Sequence, residues 1–314
     1  MSLSEIKAVI AEVSDMIKDW SEAYDIAFMS GFNITGGEPF LRQDLMQILQ
    51  ELQNRKFDIY ILSNGILISS ERARLLADIG IKGVQISIEG PENIHDAIRG
   101  KGSFSSSRKG IGNLLDKGIE VTLNVTLSDI NAGHFIDVIE LALSIGVHRL
   151  GFSRLVPSGK GADLIDSMLK ADSVKKIYRE IFSVNVNGLK IVTGDPIASQ
   201  MRLHAVENAD ASINSIPAGG CAAGVSGLTI LPDGTITPCR RLPISIGNAR
   251  TDSLREVWAT SSVLNILRDK SAYKGKCKKC IRWVQCRGCR AIAYAYSQSK
   301  GKGDFLAEDP QCFI

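Results

Sequence analysis

Hydrophobic positions along the first 184 residues alternate between two periods. Over 6–20 apolar residues recur at helical spacing (Ile6, Val9, Ile10, Val13, Ile17), which predicts a helix with one buried stripe. Segments 27–35, 58–62, 83–88, 120–127 and 149–156 are short, apolar and rich in branched residues, and read as strands. Helical patterns over 44–52, 71–79, 106–117, 135–144 and 172–184 follow them in turn. Most of these strands run into a polar or glycine-rich loop: Gly36-Gly37-Glu38-Pro39, Ser63-Asn64-Gly65, Glu89-Gly90-Pro91 and Pro157-Ser158-Gly159-Lys160-Gly161. Repeated βα units predict a parallel sheet covered by helices. Function is then expected where the loops gather, at the strand C-terminal ends.

The pattern changes after residue 196. Residues 197–220 read as a connection. Beyond it, 228–231 and 235–237 flank Pro232-Asp233-Gly234, a hairpin signal. Segment 253–267 is helical, 277–289 is a cysteine loop and 290–299 a short helix. No apolar run reaches the roughly 20 residues of a membrane span. The charged stretch 4–19 is unlike a secretory signal. The expected setting is cytoplasmic, with no membrane partner.

Charge is uneven. Residues 240–314 carry an excess of nine basic residues, although the whole chain carries only +3. Nucleic acid, an acidic partner and an anionic cofactor would each explain such an excess. All seven cysteines, at 221, 239, 277, 280, 286, 289 and 312, fall in the last third. An odd, clustered set argues for thiolate ligation of metal rather than a disulfide framework. Cys277-x2-Cys280-x5-Cys286-x2-Cys289 contains two loops that let paired thiolates reach one centre, as iron–sulfur clusters and zinc both require. Zinc held by those four leaves three cysteines unexplained. Arg240, Arg241, Lys276, Lys278, Lys279, Arg282, Arg287 and Arg290 lie beside cysteines. They track the ligands rather than a helix face, which speaks against nucleic acid.

The seven-cysteine array resembles the SPASM domain of radical S-adenosylmethionine (SAM) enzymes, and the βα region resembles the partial TIM barrel of that superfamily. The resemblance implies an α/β protein: a partial (β/α)6 TIM-like barrel over 1–196 with its first strand missing, a linker over 197–220, and a SPASM domain over 221–314 built from a hairpin and short helices. It implies two auxiliary 4Fe–4S clusters, one on Cys277, Cys280, Cys286 and Cys312, the other on Cys221, Cys239 and Cys289 with a fourth ligand unassigned. The run here departs from the family's usual x3 spacing between its last two cysteines. Gly36-Gly37-Glu38-Pro39 resembles the motif that holds the SAM amino group, and Ser87 with Arg99 the pair that binds its carboxylate. Ser63, Asn64 and Asn124 are candidates for ribose or substrate, Arg154 and Leu155 for the adenine side. His95-Asp96 reads as a helix start, and His134, His148 and His204 as structural or solvated.

The implied activity is that of an oxidoreductase or maturase. A 5′-deoxyadenosyl radical abstracts hydrogen from a peptide, a protein or a tetrapyrrole, with flavodoxin or ferredoxin as electron donor. The segments Gly288-Cys289-Arg290-Ala291 and 303–310 resemble the haem-biosynthesis members. Sulfatase maturation fits less well, because Arg240 follows the second cysteine where those enzymes carry an aspartate. One element is absent: no C-x3-C-x2-C precedes Cys221. That motif would hold a third 4Fe–4S cluster, which cleaves SAM, so these residues alone are expected to be inactive. A piece of a longer enzyme explains this better than natural loss, since the SAM motifs are intact and a missing first strand would expose a sheet edge. The alternative class is a non-catalytic iron–sulfur electron carrier or peptide-binding scaffold.

Overall fold

The computed structural model describes residues 1–201 and 217–314; His204 and most of the expected connection over 197–220 lie outside them. Six strands form one sheet in sequence order: β1 (Gly31–Ile34), β2 (Asp58–Ser63), β3 (Gly83–Ser87), β4 (Val121–Leu127), β5 (Arg149–Arg154) and β6 (Lys190–Val192). The first four pair in parallel, with Ile34 beside Ile61, Ser63 beside Ile86, and Ser87 beside Asn124. Helices intervene: α1 (Leu3–Tyr24), α2 (Leu45–Asn54), α3 (Ser70–Ile79), α4 (Glu92–Arg99), α5 (Ser103–Leu115), α6 (Phe135–Ile145), α7 (Ala171–Ser183) and α8 (Pro196–Ser199).

The chain divides into two compact units. The first comprises 1–125, 134–151 and 186–191; the second comprises 126–133, 152–185 and 192–314. In the first unit alternate strand residues (Ile59, Ile61, Val84, Ile86, Val121, Leu123) are buried with Leu49, Leu52, Leu76, Ile111 and Leu114 of the helices. Their in-between neighbours Tyr60, Leu62, Gln85, Ser87, Thr122 and Asn124 are only half-buried. Parallel sheets normally bury both faces. Here one face keeps polar, reachable side chains, and candidate residues Ser87 and Asn124 stand on it.

Helix α5 fixes the loop that follows β2. Ser107 Oγ donates to the Asn64 carbonyl (2.6 Å) and Asn113 Nδ2 to the Ile68 carbonyl (2.8 Å). The approach is close because Gly110 carries no side chain: a Cβ there would lie 2.1 Å from the Gly65 carbonyl oxygen.

The second unit carries the hairpin, β7 (Thr229–Ile230) and β8 (Thr235–Thr237), turned at Gly234 with φ +93°. A third short strand, β9 (Gly247–Asn248), pairs with β8. The helix expected over 253–267 is broken into α9 (Leu254–Thr260) and α10 (Ser262–Arg268), because the Ser261 hydroxyl accepts from the Leu264 N–H and starts a new helix. Then come α11 (Gly275–Lys279) and α12 (Arg290–Ser299). Among the described residues no helix is long and apolar enough to cross a membrane.

Gly110→Ala is expected to destabilise the protein by ~1–3 kcal/mol, since the new methyl must push a packed backbone aside. Urea denaturation checks it; an unchanged midpoint would show that α5 is not wedged against the 64–68 loop.

Candidate functional site

In the first unit the loop after β1 presents Gly36 and Gly37, both exposed. Neither has a positive φ, and a Cβ on either would meet nothing within 4 Å. No protein atom requires glycine there, and space is left beside the backbone. Glu38 follows in extended conformation. Its carboxylate accepts from the Phe40 N–H (3.3 Å), Ser63 Oγ (2.8 Å) and the Asn64 N–H (2.9 Å). Thus Glu38, Ser63 and Asn64, far apart in sequence, form one cluster across the ends of β1 and β2. A carboxylate has about four acceptor positions, so three bonds leave capacity for a further donor.

Beyond β3, Arg99 turns Nε onto Glu89 Oε1 (2.9 Å), with Nη2 on the same oxygen. Glu89 is buried, whereas the Arg99 side chain keeps a third of its surface exposed. In the sequence Glu89 marks a loop with Gly90 and Pro91. The signal was available: an acid ten residues before an arginine becomes its partner once α4 folds the segment back. His95 is fully buried; its Nδ1 accepts from the Glu89 N–H (3.1 Å), and its ring meets Phe104 edge-on. Burial, helped by the Arg99 charge, pulls its pKa down to about 4. Asp96 accepts from the Gly102 and Phe104 N–H groups and holds the entry to α5. This pair is therefore structural. His148 Nδ1 likewise accepts from the Val121 N–H, while His134 lies by Asp137 at the surface.

In the second unit Arg154 has a side chain with no exposed surface. It binds Asp195 (Nε to Oδ2, 2.5 Å; Nη2 to Oδ1, 3.0 Å) and Asp309 (2.8 Å at each oxygen), and Nη1 also reaches Gln311 Oε1 (3.1 Å). The guanidinium is thus taken up by protein acceptors, and the neighbouring Leu155 is buried. Tyr178 Oη donates to Asp195 (2.9 Å). Asp309 Oδ2 also accepts from the Cys289 N–H (2.8 Å), Oδ1 from the Gln311 N–H (3.0 Å), and its carbonyl from the Cys312 N–H (3.0 Å). Burial pushes the Asp309 carboxyl up, but the Arg154 charge and the hydrogen bonds from Arg154, Cys289 and Gln311 together outweigh it and hold the carboxyl below its ordinary range.

All seven cysteines are free thiols, and they fall into two neighbourhoods. Burial pushes Cys286 up to about 12, and the negative charges of Cys312 and Cys280 push the same way. Cys312 is raised by burial and feels Cys277. Burial likewise pushes Cys289 up to about 12, reinforced by Cys221. Cys239 packs with Cys289 against Val156, Leu242 and Ile292, and with Cys221 against Ala223, Leu264 and Leu267. Among the described residues no three His, Cys, Asp or Glu side chains are drawn in around a single metal ion. Each neighbourhood instead gathers thiols whose negative charges would oppose one another until a cationic centre joins them. That chemistry suits thiolate-held iron.

Residues 6–142 match the radical SAM superfamily, and residues 221–281 match the iron–sulfur cluster-binding domain called SPASM. An AdoMet-dependent heme synthase of Nitratidesulfovibrio vulgaris is 32% identical over 292 residues, covering 88% of this chain and 77% of that protein. The chain belongs to the radical SAM superfamily. Mycofactocin maturase MftC of Mycolicibacterium smegmatis is 30% identical over 273 residues, 83% of this chain and 66% of the relative. Among solved structures, Streptococcus suis SuiB bound to precursor peptide SuiA superposes with a TM-score of 0.71 at 17% identity, over 97% of this chain and 69% of that one. Native anSMEcpe with bound AdoMet gives 0.68 at 19% identity, over 96% and 87%. At such identities these likenesses show the fold, a radical SAM barrel followed by a SPASM region.

Asp309→Ala is expected to cost ~3–5 kcal/mol, the penalty for breaking a buried ion pair, whereas Arg74→Ala, which breaks an exposed pair with Asp78, should cost under ~1 kcal/mol. Equal effects in urea denaturation would refute the assigned role of Asp309. His95 has a second signature. Its folded pKa lies below the unfolded value of 6.5, so its contribution is complete above pH 6.5 and is lost as pH falls towards 4. The slope of stability against pH over that window should flatten in His95→Gln.

Proposed function

We propose that these residues form the SAM-binding and auxiliary-cluster body of a radical SAM enzyme whose substrate is a tetrapyrrole. The observation that carries the proposal is the packing of Cys239 with Cys289 and Cys221, beside a second set in which Cys286 lies within electrostatic reach of Cys280 and Cys312. Cys277, Cys280, Cys286 and Cys312 would hold one 4Fe–4S cluster; Cys221, Cys239 and Cys289 would hold the other, with a fourth ligand from elsewhere.

The chain's residues take these roles. Glu38, braced by Ser63 and Asn64, accepts from the SAM ammonium group, while Gly36 and Gly37 let the ligand lie against the backbone. Arg99, oriented by Glu89, meets the SAM carboxylate with Ser87, as a forked guanidinium suits. Asn124, in register with Ser87, and Asn64 offer amides to ribose or substrate. Leu155 and the Arg154 backbone serve the adenine side. SAM held by these residues would supply, given an electron from a reducing cluster, the radical chemistry that removes hydrogen from substrate. No cysteine occurs before Cys221, so the proposal assigns SAM contacts and auxiliary centres to these residues, not the SAM-cleaving cluster. The electron donor is expected to be a flavodoxin or ferredoxin.

Support for a tetrapyrrole comes from the heme synthase relatives in Nitratidesulfovibrio vulgaris and Methanosarcina barkeri, at 32% and 30% identity. A peptide substrate is the second reading, favoured by the PqqA peptide cyclase of Methylocella silvestris at 27% identity over 98% of this chain.

Anaerobic reconstitution should yield about eight irons per chain, two four-iron cubes. SAM should bind in equilibrium dialysis, and Glu38→Gln should weaken it by roughly 10–100-fold, the worth of a hydrogen bond between charged groups. Retained iron without SAM binding would point to an electron carrier or scaffold. Stoichiometric zinc with no iron would remove the reading altogether.

A further inference from the structure

Two arginines of the second unit are buried with no acidic hydrogen-bond partner among the described residues. Arg287 is 2% exposed and Arg290 is fully buried. A guanidinium taken from water costs several kcal/mol unless an anion compensates it, and Arg154, between two aspartates, shows how the same unit meets that need. Arg290 meets it otherwise. Its Nη1 donates to the Phe305 carbonyl (3.0 Å) and the Ala307 carbonyl (2.7 Å), Nη2 lies 3.8 Å from Cys277 Sγ, and Nε has no hydrogen-bond partner among the described residues. Arg287 donates to the carbonyls of Val284, Gly219 and Cys221. Asp309 is within Coulombic reach of Arg290, yet both its oxygens are committed to Arg154.

Two aromatic rings hold the cations in place. The Arg290 guanidinium stands 5.0 Å from the Tyr273 ring centroid and that of Arg287 5.8 Å from Trp283, and the two rings meet edge to face at 5.5 Å. Tyr273 is itself fixed by its hydroxyl, which donates to the Leu267 carbonyl (2.9 Å). The position matters because it borders both cysteine neighbourhoods. Arg290 feels Cys277 of one set and Cys221 of the other; Arg287 feels Cys221 and Cys286, again one from each. Carbonyl dipoles and ring faces only partly offset a full charge. The remaining demand is for an anion on either side, and thiolate-held iron is anionic.

We propose that Arg290, stacked on Tyr273 and seconded by Arg287, is a counter-cation shared by the two auxiliary cluster sites, and that its charge raises the reduction potential of both. The proposal rests on the reading that the two cysteine sets hold iron–sulfur clusters. A positive charge beside a cluster favours the form with one more electron. A cation between two clusters acts on both, and it does so inside the protein where solvent screening is weak. Arg290 is thus a positioning and tuning residue, not a catalytic one.

The test compares wild type, Arg290→Gln and Arg290→Lys after anaerobic reconstitution, with iron and sulfide counted and each cluster's potential read by EPR-monitored titration. Both potentials should move negative in Arg290→Gln and stay near wild type in Arg290→Lys. A shift of only one cluster, of neither, or an equal shift in the lysine variant overturns the shared-cation role. Where Arg290→Gln takes up no iron, the lysine variant decides: loading restored by Lys supports a requirement for charge, and failure of both assigns Arg290 a purely structural role and overturns the proposal. A wild-type chain that takes up no iron overturns the cluster reading itself and is distinguished at the first step.

Discussion

The second unit is organised around one carboxylate. Asp309 takes the Arg154 guanidinium from the end of β5, the backbone of Cys289 at the start of α12, and the backbones of Gln311 and Cys312 near the C-terminus. None of these segments is long enough to hold its own shape; α12 spans ten residues, and an isolated helix of that length is marginal in water. Buried charges demand geometry in a way that apolar contacts do not, because a displaced partner leaves the remaining charge stranded. A single pair therefore fixes where a thiol from each proposed ligand set can stand.

The same economy governs the basic excess of the last third. Arg154 is neutralised by acids, whereas the carbonyls and ring around Arg290 offset its charge only in part, so equal charges in one unit have different electrostatic duties. Surface lysines on α11 face water, where screening makes their influence small. Counting charges by sequence segment blurs this distinction. Burial and partner identity restore it.

Much of the first unit was readable from hydrophobic period alone. Strands over 58–62, 83–88 and 120–127 lie where expected, since their alternating apolar residues pack under helices. Strand 27–35 shrinks to Gly31–Ile34 because β1 lies at an edge and its neighbour β2 begins only at Asp58, which pairs with Gly31. β6 and β9 escaped notice because three and two residues carry no readable period. His95-Asp96, expected to start a helix, instead lies inside α4, whose start at Glu92 is concealed by a polar composition in which His95 is the one buried residue. In the site, the Glu38–Ser63–Asn64 cluster could be anticipated from loop position and Glu89 from its spacing to Arg99, but Asp309 could not, since its partner Arg154 lies 155 residues away. Arg154 shows the converse: its place at a strand end was legible, whereas its inward orientation depends on Asp195 and Asp309, 41 and 155 residues away.

Gly36 and Gly37 stand apart from the other small residues near the site. Gly110 answers to a neighbouring carbonyl and Gly65 to a left-handed backbone, so changing either alters the scaffold. Nothing among the described residues makes such a claim on the Gly36-Gly37 pair. Alanine at those positions therefore separates architecture from occupancy: a melting curve should be blind to it, and any altered behaviour belongs to whatever visitor the loop receives.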